Sequence, residues 1–181
     1  KYTYIASFLN CQQHDLTGPD AYIGRWLETK NAMERINGHL FVHGGVHPDL
    51  ARSELSIESI NTIIRAGYRR AYFPRAEADK YNLLHSSRTG PCWYRGYFKE
   101  DLEQEDVTAS LDKFGAKDVV VGHTLQHRVK THFKGKVIAI DVKHPSDHEM
   151  NWPNGSSEGL LIEGNNYYRL KEDGRQKVLK P

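Results

Sequence analysis

The sequence predicts a mixed α/β fold, and three observations support this prediction. Apolar residues recur at helical spacing in several segments of the first two thirds of the chain. After residue 118, short apolar runs bounded by turn residues predominate, as is typical of strands. Two apolar runs end in a histidine beside glycine, at 42–45 and 121–124. In α/β sheets, ligands gather at the carboxyl ends of strands, so both fold and function point to these two places.

A helix and a hairpin are predicted first. The helix starts at Asp20, which follows a proline, and ends near Asn31. The Asn-Gly pair at 37–38 is a hairpin turn signal, and it separates short strands at 33–36 and 40–42.

Three further helices are predicted downstream. One follows Pro48, with Ser53 as its cap; a second covers about 75–85; a third runs over 105–114 and stops at Gly115. The apolar stripe of the first of these consists of Leu55, Ile57, Ile60, Ile63 and Ile64.

The last third of the chain predicts five strands joined by turns. Alternating or continuous apolar runs of four to six residues define the main ones, and Asn-Asn and Asp-Gly pairs mark two of the turns. The predicted strands cover 118–121, 136–141, 159–163, 167–170 and 178–179.

The composition excludes several classes of partner. Hydrophobic residues make up 38% and charged residues 27% of the 181 residues, which is ordinary for a globular domain. The 25 basic and 23 acidic residues nearly balance, so nucleic acid and anionic membranes are not expected as partners. No apolar stretch has the length of a membrane span. A cytoplasmic and a periplasmic location both stay open.

The first residue and the cysteines add two expectations. The chain begins with Lys1 rather than methionine, which predicts that a preceding segment was removed. Cys11 and Cys92 are too few for a metal cluster, and one disulfide or two free thiols are both compatible with the sequence.

The two histidines at strand ends are the strongest candidates for chemistry. His43 and His123 each follow an apolar strand and lie beside glycine, which lets backbone approach a bound group closely. Imidazole is the commonest protein ligand for transition metals near neutral pH. Either histidine alone is more simply explained as a turn residue, whereas the shared pattern favours a common metal site. Asp141 also ends a predicted strand, where it acts either as a strand-end cap or as support for this site.

A third candidate is Arg95, in the segment Gly-Pro-Cys-Trp-Tyr-Arg-Gly at 90–96. A guanidinium between two aromatic residues and a glycine is held stiffly and can present its fork to a phosphate. The alternative is a surface arginine stacked on Trp93.

These three pieces, in this order and spacing, resemble calcineurin-like metallophosphoesterases. They are most similar to the branch that resembles protein serine/threonine phosphatases, and within that branch to the Shewanella-like bacterial phosphatases. The resemblance extends over about residues 18–170. The family's first blocks, G-D-x-H, G-D-x-x-D-R-G and G-N-H-E, are absent. The resemblance therefore implies that residues 1–181 form the carboxyl-terminal part of one metallophosphoesterase domain. It also implies part of a four-layer αββα sandwich with mixed sheets.

The resemblance implies roles for three residues. His43 and His123 would bind the same ion of a two-metal site containing Mn, Fe or Zn, and Arg95 would contact the substrate phosphate. Leu125 stands where some branches carry a further histidine ligand, which favours the serine/threonine-phosphatase-like arrangement. The other ligands would belong to the absent blocks.

The implied function is hydrolysis of phosphomonoesters or phosphoproteins by metal-activated water. The two histidines alone are expected to hold at most one ion weakly, so the isolated chain is expected to be nearly inactive without an amino-terminal segment as partner. One alternative is a non-catalytic fragment or binding module that lacks half of the dinuclear site. Another is a mononuclear zinc hydrolase that uses His43, His123 and His127.

Overall fold

The computed structural model shows an α/β architecture built on two sheets. It describes residues 18, 20–68, 79–99, 102–142, 157–171, 173–174 and 176–179. The helices are α1 (Tyr22–Leu27), α2 (Pro48–Arg52), α3 (Ile57–Gly67), α4 (Asp79–His85), α5 (Gly96–Lys99) and α6 (Gln104–Lys113). The strands are β1 (Met33–Ile36), β2 (His39–Val42), β3 (Asp118–Val121), β4 (Lys130–His132), β5 (Val137–Ala139), β6 (Glu158–Glu163), β7 (Asn166–Lys171) and β8 (Gln176–Val178). Within these ranges, no helix has the length and apolar character needed to cross a membrane.

The larger sheet has five strands in the order β1-β2-β3-β5-β4. β3 lies parallel to both β2 and β5, whereas β1 and β4 are antiparallel to their neighbours. Val42, the last residue of β2, pairs with Val121, the last residue of β3. Because parallel strands end at the same edge of a sheet, the residues that follow β2 and β3 emerge side by side. A mixed sheet is therefore confirmed.

Alternate residues of the central strands face two different layers. Val119 and Val121 of β3 belong to the main core, whereas Val120 packs in a second cluster with Ile138 of β5 and Leu179 after β8. The helices contribute to the main core, among others, Leu50, Ile60, Ile64, Leu84, Val107 and Leu111. Helices, the five-stranded sheet and the three-stranded sheet thus form three layers. The fourth layer of the predicted sandwich is not confirmed by the described residues.

A buried polar network ties the two sheets together. His39 and Asp118 are paired across β2 and β3, and the His39 Nδ1 atom lies 2.9 and 3.0 Å from the two Asp118 carboxylate oxygens. The Tyr167 hydroxyl of β7 donates to the same carboxylate. Both His39 and Asp118 are buried, and partners on the carboxylate offset the cost of removing its charge from water. Arg169 of β7 makes a second link by donating to the Val129 carbonyl at 3.1 Å.

The helical region after Pro48 corrects one prediction. It consists of two helices, and Ser53 lies at the end of α2 instead of capping a helix start. α3 begins four residues later, where the Ser56 hydroxyl accepts from the backbone N–H of Ser59 in a capping box. His47 caps α2, with Nδ1 accepting from the backbone N–H of Asp49 at 3.0 Å. The prediction was wrong because Pro48 starts its own short helix.

Most other predicted elements agree with the sequence in place and type, but α1 begins at Tyr22 with Ala21 as its N-cap, so the prediction that the helix starts at Asp20 was wrong. The hairpin around 37–38 is confirmed, and α6 ends before Gly115, whose φ of +60° lies in the left-handed region. α4 falls within the predicted helix at about 75–85, whose residues 75–78 lie outside the described residues. β4 and the short helix α5 were not predicted.

Candidate active site

His43 and His123 meet at the carboxyl edge of the larger sheet. His43 directly follows β2, and His123 follows β3 after one glycine. The backbone N–H of Gly122 donates to the His43 carbonyl at 2.9 Å, which extends the contact between the two strands by one residue. The two rings then converge, with His43 Nε2 3.1 Å from His123 Nδ1. The structure therefore brings together the two histidines that the sequence singled out.

The spacing of these nitrogens suits two ligands of one ion. Imidazole nitrogens bind zinc-like ions at about 2.0–2.1 Å. Two nitrogens 3.1 Å apart at that distance subtend an angle of about 95–100° at a shared ion. This angle lies between the ideal values of octahedral and tetrahedral coordination, so the donor pair fits a divalent metal.

His123 has an unusual backbone conformation and an unsatisfied ring nitrogen. Its φ of +62° places a non-glycine residue in the left-handed region, which costs roughly 1–3 kcal/mol. Its Nε2 atom is buried and has no hydrogen-bond partner. Left-handed backbone and an unpartnered polar atom cluster at functional sites, so both features favour a role for His123 beyond a turn residue.

The surroundings of His123 keep its imidazole neutral. Burial lowers the pKa of His123 most, and electrostatic interaction with Arg95 and with His43 lowers it further. The Asp141 carboxylate and the backbone of Trp93 oppose this by raising it. A neutral imidazole is the form that binds a metal, so the electrostatics agree with the geometry.

Two glycines allow the segment after His43 to pack closely against the loop that carries Arg95. The backbone N–H of Gly44 donates to the Pro91 carbonyl at 2.7 Å. A Cβ atom on Gly44 would lie 2.8 Å from the same carbonyl oxygen, 2.8 Å from the Tyr94 nitrogen and 2.9 Å from the Trp93 nitrogen. On Gly45, it would lie 2.6 Å from the Tyr97 ring. Only glycine allows this approach, which fixes the two loops relative to each other.

Arg95 lies in this loop, half-buried, between the fully buried Tyr94 and α5. It is close enough to His123 for its charge to act on that imidazole. The Trp93 ring, half-exposed, meets the His123 ring edge-on, with centroids 5.4 Å apart. Trp93 therefore packs on the metal-ligand candidate, a contact that the sequence did not predict.

Asp141 reaches the same edge by the route that positions the histidines. It follows β5 by two residues, and β5 is parallel to β3. Its backbone carbonyl accepts from Gln126 at 2.8 Å, and its carboxylate acts on His123. Ligand-binding residues lie at the carboxyl ends of strands, and this rule, which identified the two histidines, also identifies Asp141. Its negative charge acts on the His123 ring.

The remaining histidines do not complete a metal site. Within the described ranges, no group of three or more His, Cys, Asp or Glu side chains is arranged to hold an ion. His127 therefore does not join His43 and His123 in a three-ligand zinc site, and His47 caps α2. Cys92 is a free thiol, whereas Cys11 lies outside the described residues.

Comparisons with known proteins point to one family of phosphatases. No family model matches the chain. It is 29% identical over 139 residues to Shewanella-like protein phosphatase 1 of Plasmodium berghei (strain Anka), covering 73% of this chain and 37% of that protein. The crystal structure of a cold-active protein-tyrosine phosphatase from a psychrophilic Shewanella species superposes with a TM-score of 0.83 at 33% identity, covering 99% of this chain and 52% of that one. A further cold-active protein tyrosine phosphatase structure gives 0.80 and 32%, with 98% and 50% coverage.

The chain thus spans about half the length of these solved structures and a smaller share of the Plasmodium protein. This partial coverage is consistent with the carboxyl-terminal portion that the motifs indicate. Motifs, sequence identity and fold agree that this chain is similar to Shewanella-like protein phosphatases.

Proposed function

We propose that this chain is the carboxyl-terminal part of a calcineurin-like, metal-dependent phosphatase domain that hydrolyses phosphomonoesters or phosphoproteins. The approach of His43 Nε2 to within 3.1 Å of His123 Nδ1 carries the proposal. Relatives named as protein phosphatases support the reaction class, and one of them is named as acting on tyrosine. In the complete domain, further strands and helices would complete a four-layer sandwich.

His43 and His123 would hold one ion of a dinuclear centre containing Mn, Fe or Zn. When bound, such ions polarise the phosphoryl oxygens and supply an activated water for in-line attack. The chain's own contribution is to fix the two ring nitrogens at a ligand spacing and to keep His123 unprotonated. The edge-on contact with Trp93 restrains the His123 ring.

Arg95 would bind the phosphate of the substrate. The loop contacts of Gly44 hold the backbone around Arg95 beside the histidines, so the guanidinium would be within reach of a phosphate bound there. A guanidinium offers paired donors to two phosphate oxygens, and it offsets charge that develops on them.

The chain alone should be a poor catalyst. Two neutral imidazoles do not compensate the charge of a divalent ion, and usual sites have three or four protein ligands. We expect at most one ion, bound weakly, and little turnover until a partner segment supplies carboxylates.

The test is hydrolysis of p-nitrophenyl phosphate with Mn²⁺, using this chain mixed with the half of the Shewanella phosphatase that it does not span. We expect metal-dependent turnover, which His43→Ala and His123→Ala abolish and Arg95→Ala lowers about 10²–10³-fold. His127→Ala, at an exposed histidine, is the matched control and should leave turnover unchanged. Equal activity in the His43, His123 and His127 variants would disprove the assignment.

The alternative is a non-catalytic binding module, which the incomplete ligand set of the described residues favours. It predicts that the reconstituted mixture binds a phosphopeptide through Arg95 but releases no phosphate. Measuring binding and phosphate release on the same sample separates the two functions.

A further inference from the structure

His123 lies at the centre of a strained turn that other contacts must support. The backbone N–H of Thr124 donates to the Gly122 carbonyl at 2.7 Å, which closes a three-residue turn around His123. With the His123 φ of +62°, this pattern is a γ-turn of the rare and strained hand. Such a conformation persists only where the surrounding structure over-determines it. On the amino-terminal side, the hydrogen bond from Gly122 to the His43 carbonyl supplies this support.

The side chains next to His123 give the turn little support on its carboxyl-terminal side. Thr124 Oγ1 is buried and has no hydrogen-bond partner among the described residues, and Leu125 is 51% exposed. The Trp93 ring contacts the His123 ring, but this contact acts on the side chain and not on the backbone of the turn. The support for the backbone therefore comes from a residue further along the segment.

Gln126 makes two contacts that hold this side of the turn. It is only 7% exposed, and its side-chain Nε2 donates to the Thr124 carbonyl at 3.0 Å. Its backbone N–H donates to the Asp141 carbonyl at 2.8 Å, and it forms a parallel bridge with Val142. One buried residue thus ties the turn to the segment that follows β5.

We propose that Gln126 is a positioning residue that presents the His123 ring to His43. Its side-chain amide fixes the Thr124 peptide, and this peptide closes the strained turn that sets the direction of the His123 ring. Its backbone N–H fixes the same turn against the end of the neighbouring strand. That the positioned ring binds an ion rests on the proposed function, whereas the positioning itself does not.

Gln126→Met tests the proposal, because methionine has nearly the length of glutamine but no side-chain N–H donor. In the metal-free chain, hydrogen exchange at the Thr124 amide should accelerate about tenfold, since the Thr124 carbonyl loses its buried partner. The nuclear Overhauser effect between the His43 and His123 rings should weaken. In a titration with Co²⁺, the Kd of the variant should rise about tenfold, as is typical when the support of a metal ligand is removed.

Ser110→Ala is the matched control. Ser110 lies in α6, is 2% exposed, and its hydroxyl also donates to a backbone carbonyl, that of Asp106 at 2.9 Å. The control removes a buried side-chain hydrogen bond that does not involve the turn. It should therefore leave the exchange rate of the Thr124 amide, the contact between the two rings and the Kd for Co²⁺ unchanged.

The measurements separate the proposal from the proposed function. Unchanged exchange and ring contact in Gln126→Met, or equal changes in Ser110→Ala, overturn the proposal. Exchange of the wild-type Thr124 amide at the rate of an unprotected amide overturns it without any variant. A loosened turn with an unchanged Kd for Co²⁺ also overturns it, because the turn would then not position a ligand. If the wild-type chain binds no Co²⁺ but the turn and the ring contact respond as expected, the positioning stands and the metal-dependent function is refuted.

Discussion

Gly44→Ala tests whether close contact between two loops assembles the candidate site. The added Cβ would lie 2.8 Å from the Pro91 carbonyl oxygen and 2.8 and 2.9 Å from the Tyr94 and Trp93 nitrogens. All three atoms belong to backbone, so no side chain can rotate away to relieve the overlap. The loop that carries Arg95 must move several tenths of an ångström from His43.

The magnitude follows from two effects. Overpacking at a site that cannot relax costs about 1–3 kcal/mol. The 2.7 Å hydrogen bond from Gly44 to the Pro91 carbonyl weakens or breaks, which adds about 0.5–1.5 kcal/mol. The free energy of unfolding should therefore fall by about 2–4 kcal/mol. For a chain of this size, each kcal/mol lowers Tm by about 2–4 °C.

Urea unfolding followed by circular dichroism measures this change. Gly122→Ala is the matched control on the other side of His43, because its Cβ would meet the His43 ring at an ordinary 3.5 Å. We expect the control to cost less than about 1 kcal/mol. If Gly44→Ala unfolds at the same urea concentration as the wild type, or the control costs as much, the two loops are not fixed by this contact.

Three further predictions concern the core, the link between the sheets and the metal. Asn61→Ala should lower the free energy of unfolding, measured by urea titration, by about 3–5 kcal/mol. The reason is that the buried Asn61 side chain accepts hydrogen bonds from the backbone N–H groups of Ala32 and Met33 and donates one to the Met33 carbonyl. A loss below about 1 kcal/mol would contradict this prediction. Burial and the Asp118 carboxylate raise the pKa of Tyr167, so the stabilisation by its hydroxyl is complete below pH about 10 and declines above it, where the unfolded state ionises first. The stability advantage of wild type over Tyr167→Phe should therefore narrow above that pH, and a constant difference up to pH 12 would count against it. Calorimetric titration of the chain alone with Mn²⁺ should reveal at most one weakly bound ion, and two tightly bound ions would show that it needs no outside ligands.

The histidine pair could be predicted because it depends on local pattern and on one topological rule. An apolar run followed by histidine and glycine gives a strand end, and parallel pairing of β2 and β3 brings two such ends together. The same rule applies to Asp141, which follows β5. The hairpin at 37–38 and the end of α6 at Gly115 depend on turn chemistry over only a few residues, so the sequence also predicts them.

Other features depend on distant contacts, which a sequence pattern does not encode. Serines occur at both 53 and 56, and only the separate helix after Pro48 decides that Ser56 caps α3. β4 has three half-buried residues and owes its strand conformation to pairing with β5. The packing of Trp93 on His123 joins two loops 30 positions apart in the chain.

The two ends of the β2–β3 pair contrast in a way that favours a functional role for one of them. At the amino ends, the Asp118 carboxylate is hydrogen-bonded to the His39 ring and to the Tyr167 hydroxyl. At the carboxyl ends, His123 adopts strained backbone and keeps a buried nitrogen without a partner. At one end, the same two strands thus carry a buried charge that has hydrogen-bond partners. At the other end, the buried Nε2 atom of His123 has none. Selection for stability alone would remove the second arrangement, because an unpartnered buried polar atom and a left-handed residue each cost free energy. The left-handed backbone of His123, whose Nδ1 atom lies 3.1 Å from His43 Nε2, is therefore better explained by a role in the candidate site than by folding.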